Sequence, residues 1–459
     1  MSLSLTFLGS AGTVTGSKHL LCFGKKKILI DCGLFQGIKE ERNLNWRPLS
    51  VDARTIDAAI LTHAHLDHTG YLPLLVKQGF RGPIYCSEPT LELTKLILLD
   101  SAKIQEEDAE HANQDGYSKH KPALPLYRVS DTEAVFELLT ALKPNHWHSI
   151  VSDQAKVNLK NSGHILGSTF AEVEVEGKSV VFTGDLGRSN PLTLYPRSVI
   201  READALVIES TYGDRCHTKE PPADTLGKLI NETLRRGGQV LIPTFAIGRT
   251  QDILHLIALL KASHRIPDVP VYLDSPMADK ATSIFDRFPE WHRLSSPDIR
   301  RLSNTFQYVA SSKHSMSICQ SKEPAIVLAG SGMLTGGRVK HHLVARLPQE
   351  RNTVILVGYQ AAGTLGRFLK EGAVEAKIFG KYVPVRAQIS EISSLSAHAD
   401  QHEILEWMSS FQTLPSQIFI VHGEPNASEG LRVRIADQFG ISAHIAKLGE
   451  RVEMLKEPA

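Results

Sequence analysis

The chain has 459 residues, 42% hydrophobic and 22% charged, the composition of a folded globular protein too long for one ordinary core. No apolar run approaches the roughly 18 residues of a membrane span, and residues 2–9 lack a signal peptide's basic start and read as a strand. Five scattered cysteines, Cys22, Cys32, Cys86, Cys216 and Cys319, make no C-x-x-C pair, which argues against a disulfide framework or a thiolate zinc site and points to a reducing cytoplasm.

In chain order, strands are expected at 3–8, 19–23 and 27–31, followed by an apolar run at 58–62. Helical patterns follow at 71–78 and 90–107, and 106–121 reads as a polar helix end and loop. Strands return at 157–159, 170–175 and 179–183. From about residue 205 the rhythm becomes strand–helix: 205–208 then 226–235, 240–243 then 250–261, 271–273 then 279–288, 325–329 then 338–347, then a strand at 353–357. That alternation predicts a mainly parallel sheet covered by helices. Helices at 401–411 and 428–439 alternate with strands at 417–421 and 442–446. No Pro/Ser/Gly linker separates the two rhythms, which suggests an α/β part inserted into the first domain.

The densest chemistry is His63-Ala64-His65-Leu66-Asp67-His68, placed directly after the apolar run. Four of its six residues can ligate a metal, whereas one catalytic zinc takes about three protein ligands and keeps a position open. Other candidates sit at strand ends or in a turn: Asp31 after Ile28-Leu29-Ile30, Asp185 after Val180–Gly184, Glu209 after Leu206-Val207-Ile208, His422 after Ile418–Val421, and His164 between Gly163 and Gly167. Rigid scaffolds display chemistry at such places. His63, His65, Asp67, His68, His164, Asp185 and His422 are seven N or O donors, too many for one tetrahedral ion and enough for two with a bridging carboxylate. Imidazole and carboxylate without thiolate suit zinc, with manganese an alternative at the more carboxylate-rich site. Two such ions activate a shared water and clamp phosphoryl oxygens, which is hydrolytic chemistry.

Net charge is +1, yet residues 325–390 hold nine Lys/Arg against three acids, a local +6. A basic surface on a neutral protein attracts a polyanion.

These residues resemble the motifs of the metallo-β-lactamase superfamily, and within it the β-CASP branch that processes nucleic acids. Asp31, His63–His68, His164 in Ser162-Gly163-His164 and Asp185 in Thr183-Gly184-Asp185 match the superfamily's four motifs. Glu209 in Glu209-Ser210-Thr211-Tyr212-Gly213, His398 in Ser396-Ala397-His398-Ala399-Asp400 and His422 in Val421-His422-Gly423-Glu424 match the β-CASP additions. The resemblance implies an αββα sandwich interrupted by a β-CASP domain, with expected parts 1–210, 211–380 and 381–459. It implies one zinc on His63, His65 and His164, another on Asp67, His68 and His422, and Asp185 bridging. The catalytic set is then Asp67, His398, Glu209 and Asp31, with Asp31 orienting a ligand and His398, partnered by Glu209, facing the leaving oxygen.

Members that cut RNA carry His at the last motif, whereas those specialised for DNA tend to carry an aliphatic residue there, so His422 points to RNA; single-stranded RNA is the expected partner. The chain resembles bacterial and archaeal ribonucleases related to the endonuclease subunit of the mRNA 3′-end cleavage and polyadenylation factor. The expected activity is RNA phosphodiester hydrolysis, endonucleolytic, 5′→3′ exonucleolytic or both, by a hydroxide activated between two zincs. The alternatives are a DNA nuclease of the same family or a non-catalytic RNA-processing subunit. A homodimer is left open and no membrane partner is expected. The Gly-rich stretches 330–338 and 358–367 lie in the basic region and read as phosphate cradles, with Ser331, Arg338, Arg367 and Lys381 as candidate RNA contacts.

Overall fold

The computed structural model describes residues 3–114 and 120–454. The chain divides into two compact units. One comprises the chain up to Pro191, Tyr195–Cys216 and the run from His398 on; the other comprises Leu192–Leu194 and His217–Ala397.

The first unit holds two sheets. In one, Arg451–Met454, Leu3–Phe7, His19–Phe23 and Lys26–Ile30 pair antiparallel, and Ala58–Ile60, Ile84–Cys86 and Leu139–Ala141 continue it in parallel. In the other, His444–Ile445, Gln417–Val421, Ala205–Glu209 and Lys178–Phe182 pair in parallel, and Thr169–Val175, Ala155–Asn161 and Trp147–Ile150 continue it antiparallel.

Both faces of these strands are apolar because both are covered. Successive strand residues point to opposite faces. Ile28 and Ile30 therefore join Leu5, Phe7 and Leu21 in a core shared with Val173, Val180, Phe182 and Phe419 of the second sheet. Leu29 and Ala59 face the other way, onto Leu72, Leu75, Leu98 and Val135 of helices Leu72–Lys77, Glu88–Gln114 and Val129–Phe136. On the far side Leu206, Ile208 and Ile418 pack on Ile404, Trp407, Leu431 and Ile435 of helices Gln401–Met408 and Pro425–Phe439. Helix, sheet, sheet, helix is the expected αββα sandwich. Each buried aliphatic side chain contributes about 1.5–3 kcal/mol.

The second unit is built on a sheet in the order Gln307–Tyr308, Val271–Asp274, Ile326–Ala329, Val240–Pro243, Thr353–Leu356, Gln388–Glu391, with every pairing parallel. Helices Pro222–Arg235, Arg249–Ala262, Pro276–Arg287 and Val339–Arg346 alternate with its strands. A separate hairpin, Glu375–Ile378 with Lys381–Pro384, was not expected.

The long helix also differs from expectation. Glu88–Gln114 continues past 107, because residues 106–114 contain good helix formers and no Gly or Pro. The rest of the polar segment read at 106–121 includes 115–119, which lie outside the described residues.

One buried charge has a measurable consequence. Lys18 is 2% exposed, with its ammonium 4.5 Å from the Phe35 ring centre and 4.9 Å from that of Tyr71. Burial pulls its pKa down to about 8, and the rings return part of the desolvation cost. The folded value lies below the unfolded one, so between roughly pH 8 and 10.5 the unfolded chain binds more protons and stability rises with pH. Lys18→Met is expected to flatten that rise by about 2–3 kcal/mol relative to the parent, read from urea unfolding across the window. Parallel curves for the two proteins would remove the claim.

Candidate metal centre

Register carries the site residues to one rim. Ile30 pairs with Ile60, so Asp31 and the Leu61–His63 run leave their strands at the same level. Phe182 pairs with Val207 and Glu209 with Val421, which aligns the exits toward Asp185, Glu209 and His422. Asp31 (φ +57) and His422 (φ +51) turn off their strands in the left-handed region, a local strain of the kind that gathers at functional sites. His65 precedes the short helix Leu66–Thr69, which holds Asp67 and His68. Gly33 lets that helix approach: a Cβ there would stand 1.6 Å from the Asp67 carbonyl oxygen.

Two groups of donors form. His63 Nε2 and His164 Nε2 each lie 3.3 Å from Asp185 Oδ2. His65 Nδ1 lies 3.1 Å from His63 Nε2 and 3.2 Å from His164 Nε2. Around a zinc with bonds of about 2.0–2.1 Å, tetrahedral ligand atoms stand about 3.3 Å apart, so these four atoms fit one ion. In the second group His68 Nε2 is 3.2 Å from Asp185 Oδ1 and 3.3 Å from His422 Nε2. His422 Nε2 is 3.5 Å from Asp185 Oδ1 and 3.6 Å from Asp67 Oδ2. The two oxygens of Asp185 thus face different groups, the geometry of a bridging carboxylate. Buried Asp185 Oδ1 accepts no hydrogen bond despite those near nitrogens: the donors converge on a shared point rather than on one another.

The electrostatics suit cations. Burial alone would raise the Asp185 pKa, but the imidazoles of His422, His68, His63 and His398 outweigh it and hold the carboxyl well below the usual range. Burial lowers His65 to about 3, which keeps it neutral and able to ligate.

The surrounding contacts fix ring orientation. Asp31 accepts from the Thr62 amide and hydroxyl, each at 2.8 Å, and its Oδ2 lies 2.8 Å from His68 Nδ1. The opposite His68 nitrogen is thereby aimed at the metal group. Thr211 Oγ1 lies 3.0 Å from His422 Nδ1, and the Ser168 hydroxyl accepts from the His164 amide at 3.0 Å. None of the three has an expected role in the sequence: Thr62 directly precedes His63, Thr211 lies within the Glu209 motif, and Ser168 stands four residues after His164.

Beside the groups stands His398, its Nδ1 3.1 and 3.2 Å from the two oxygens of fully buried Glu209 and its Nε2 3.9 Å from Asp185 Oδ2. Glu209 also accepts from the amides of Leu186 at 2.6 Å and Thr211 at 3.2 Å. Burial pulls the His398 pKa down, yet the Glu209 and Asp185 charges carry it up to about 9.

The four candidate RNA contacts, Ser331, Arg338, Arg367 and Lys381, all lie in the second unit. Ser331 Oγ is 3.1 Å from Thr335 Oγ1. Arg367 donates to Glu371 at 2.6 Å and the Gln360 carbonyl at 3.0 Å. Lys381 is exposed on the hairpin. Arg338 Nη1 donates at 2.8 Å to both Asp274 and the Val309 carbonyl. Asp274, wholly buried, also accepts from Ser315 and lies 2.6 Å from His342 Nε2. It was missed in the sequence, although it ends an apolar strand as Asp31 and Asp185 follow theirs.

The sandwich and its histidine–carboxylate rim define a metallo-hydrolase site. The family model for the metallo-beta-lactamase superfamily domain matches residues 20–202, that for the Beta-Casp domain 250–369, and that for the Zn-dependent metallo-hydrolase RNA specificity domain 382–446. The chain is 36% identical to Ribonuclease TTHA0252 of Thermus thermophilus, over 97% of this chain and 98% of the relative. It is 32% identical to Transcription termination factor FttA of Methanocaldococcus jannaschii, over 92% and 67%, and 33% identical to an RNase J-like protein of that organism, over 87% of each. A crystal structure of a protein of unknown function from Enterococcus faecalis shares the fold at TM-score 0.55 and 14% identity, covering 99% of this chain and 100% of the other. The chain belongs to the β-CASP family of the metallo-β-lactamase superfamily. No helix among the described residues is long and apolar enough to cross a membrane.

Proposed function

We propose that this protein is a metal-dependent ribonuclease that hydrolyses phosphodiester bonds of single-stranded RNA in a reducing cytoplasm. The observation that carries the reading is the split of Asp185 between two groups of histidine and carboxylate donors. His63, His65 and His164 would hold one zinc, Asp67, His68 and His422 the other, and Asp185 would bridge. When bound, such a pair supplies an activated water and polarises phosphoryl oxygens. Asp31 holds the His68 ring. His398 holds a proton at Nε2, on the side facing Asp185, where it can pass to the departing oxygen while Glu209 fixes its tautomer through Nδ1. Ser331, Arg338, Arg367 and Lys381 are the proposed RNA phosphate contacts, with Arg338 preorganised by Asp274. The five free cysteines fit the compartment, and the division into a metal-binding part and an inserted β-CASP part belongs to the same reading.

The test is cleavage of 5′-phosphorylated, 5′-hydroxyl and circular RNA, beside DNA of the same sequence, before and after chelation and zinc return. RNA cut only with metal is the expected result. Cutting of circles identifies endonuclease action, and dependence on the 5′-phosphate identifies exonuclease action. Equal cleavage of DNA, or cleavage that survives chelation, would refute the reading.

A further inference from the structure

The hairpin of the second unit breaks a local rule. Ile378 pairs with Lys381, so the connection is two residues, Phe379-Gly380, and both have positive φ, +49 and +74. That is the type I′ combination, in which the first position favours Asn, Asp or Gly. A bulky ring there is an outlier held against backbone preference. The ring is not hidden in compensation: Phe379 is 56% exposed, resting beside His341 with ring centres 4.7 Å apart.

The rest of the hairpin has two faces. Ala376, Ile378 and Val383 are buried in the unit's core. Opposite them, Lys377 pairs across the strands with Tyr382, its ammonium 5.8 Å from the ring centre. Tyr382 is 69% exposed, and Phe368, on the helix Leu365–Lys370 just before the hairpin, is 54% exposed. Within residues 375–386 Lys377, Lys381 and Arg386 are exposed with one exposed acid, Glu375, and a second exposed acid, Glu371, ends the Phe368 helix, where it pairs with Arg367. Open ring faces interleaved with cations are what single-stranded nucleic acid uses, stacking bases on the rings and laying phosphates by the cations. A second copy of the chain would instead bring like charges together.

We infer that Phe379 and Tyr382, with Lys377 paired across the strands from Tyr382, form a base-stacking platform for single-stranded RNA, and that Lys381, which pairs with Ile378 on the other face of the hairpin, adds a phosphate contact beside the turn. The inference rests on the ribonuclease reading and adds base contacts to it. The bases stack without sequence-specific hydrogen bonds, so the platform is sequence-tolerant.

The test uses the full chain with Asp67→Ala to prevent cutting, and a fluorescein-labelled 20-nucleotide oligoadenylate read by anisotropy over a series of salt concentrations. Phe379→Asn creates an Asn-Gly turn that suits the backbone, so its melting temperature is expected to equal or exceed the parent's. Its Kd is expected to rise about tenfold, as is that of Tyr382→Ser, which corresponds to one lost stacking contact. The slope of log Kd on log salt should stay fixed for both. Lys381→Gln should lower that slope by about 0.7. Unchanged Kd in both ring variants, with RNA still bound and still cut by the protein carrying Asp67, would overturn the platform and leave the ribonuclease reading standing. Absence of both binding and cutting would overturn both. A ring variant that changes solution mass instead of Kd would assign the surface to a second copy and overturn the inference.

Discussion

Asp67→Ala is expected to bind single-stranded RNA with near-parental affinity and to cut it at least about a thousandfold more slowly. Asp67 contributes one of the atoms of the second donor group, 3.6 Å from His422 Nε2, and its removal leaves that group with two imidazoles and a shared oxygen of Asp185. Under the two-zinc proposal the second ion would be weakened, at a cost of several kcal/mol of transition-state stabilisation, and about 4 kcal/mol corresponds to a thousandfold. The side chain is 18% exposed, so its loss opens no core cavity and the fold is expected to stay. Metal content measured beside rate decides the matter: the variant should carry less zinc per chain. Cleavage at the parental rate would refute the assignment of the donors.

His398→Ala is expected to lower kcat by about 10²–10⁴, the usual weight of a positioned acid, while zinc content stays at the parental level. His398 is set apart from the ligands by its geometry. Its Nδ1 is held by Glu209, and its Nε2 stands 3.9 Å from Asp185 Oδ2, farther than the 3.3 Å of His63 and His164. Loss of metal together with rate would show that His398 supports the ions rather than the leaving oxygen. Glu209→Gln tests the partner: the amide cannot accept from His398 and from the amides of Leu186 and Thr211 as the carboxylate does, so a rate loss in the same direction is expected.

Much of this site was legible in the residue order because its chemistry is local in one respect: most of the site residues end or follow an apolar run, and apolar runs can be read, while His164 sits in a Gly-bounded turn. Asp31, Asp185, Glu209 and His422 were found that way. The pairing that brings them together could not be read from periodicity. Ala205–Glu209 lies beside Gln417–Val421, and no spacing rule announces a neighbour two hundred residues away; only the family resemblance implied it. Arg338 shows the same limit from the other side. A Gly-rich basic loop suggests an anion outside the protein, whereas its guanidinium also meets Asp274, 64 positions earlier. The hairpin at Glu375–Pro384 escaped notice because Phe-Gly is not a recognised turn pair. The long helix outruns its expected end because a polar stretch without Gly or Pro does not stop a helix.

The separation of His68 and His422 by 354 positions has a consequence for biosynthesis. During translation the first donor set, complete by Asp185, is available long before the second. The compact unit that carries the first set is itself completed only by the run from His398 on, so a growing polypeptide lacks both the residue that finishes the second set and the strands Gln417–Val421 and Arg451–Met454 that complete the two sheets. If the protein is the proposed two-ion ribonuclease, a half-made chain at the ribosome is inert toward the very messenger being translated, and competence arrives with the late histidine.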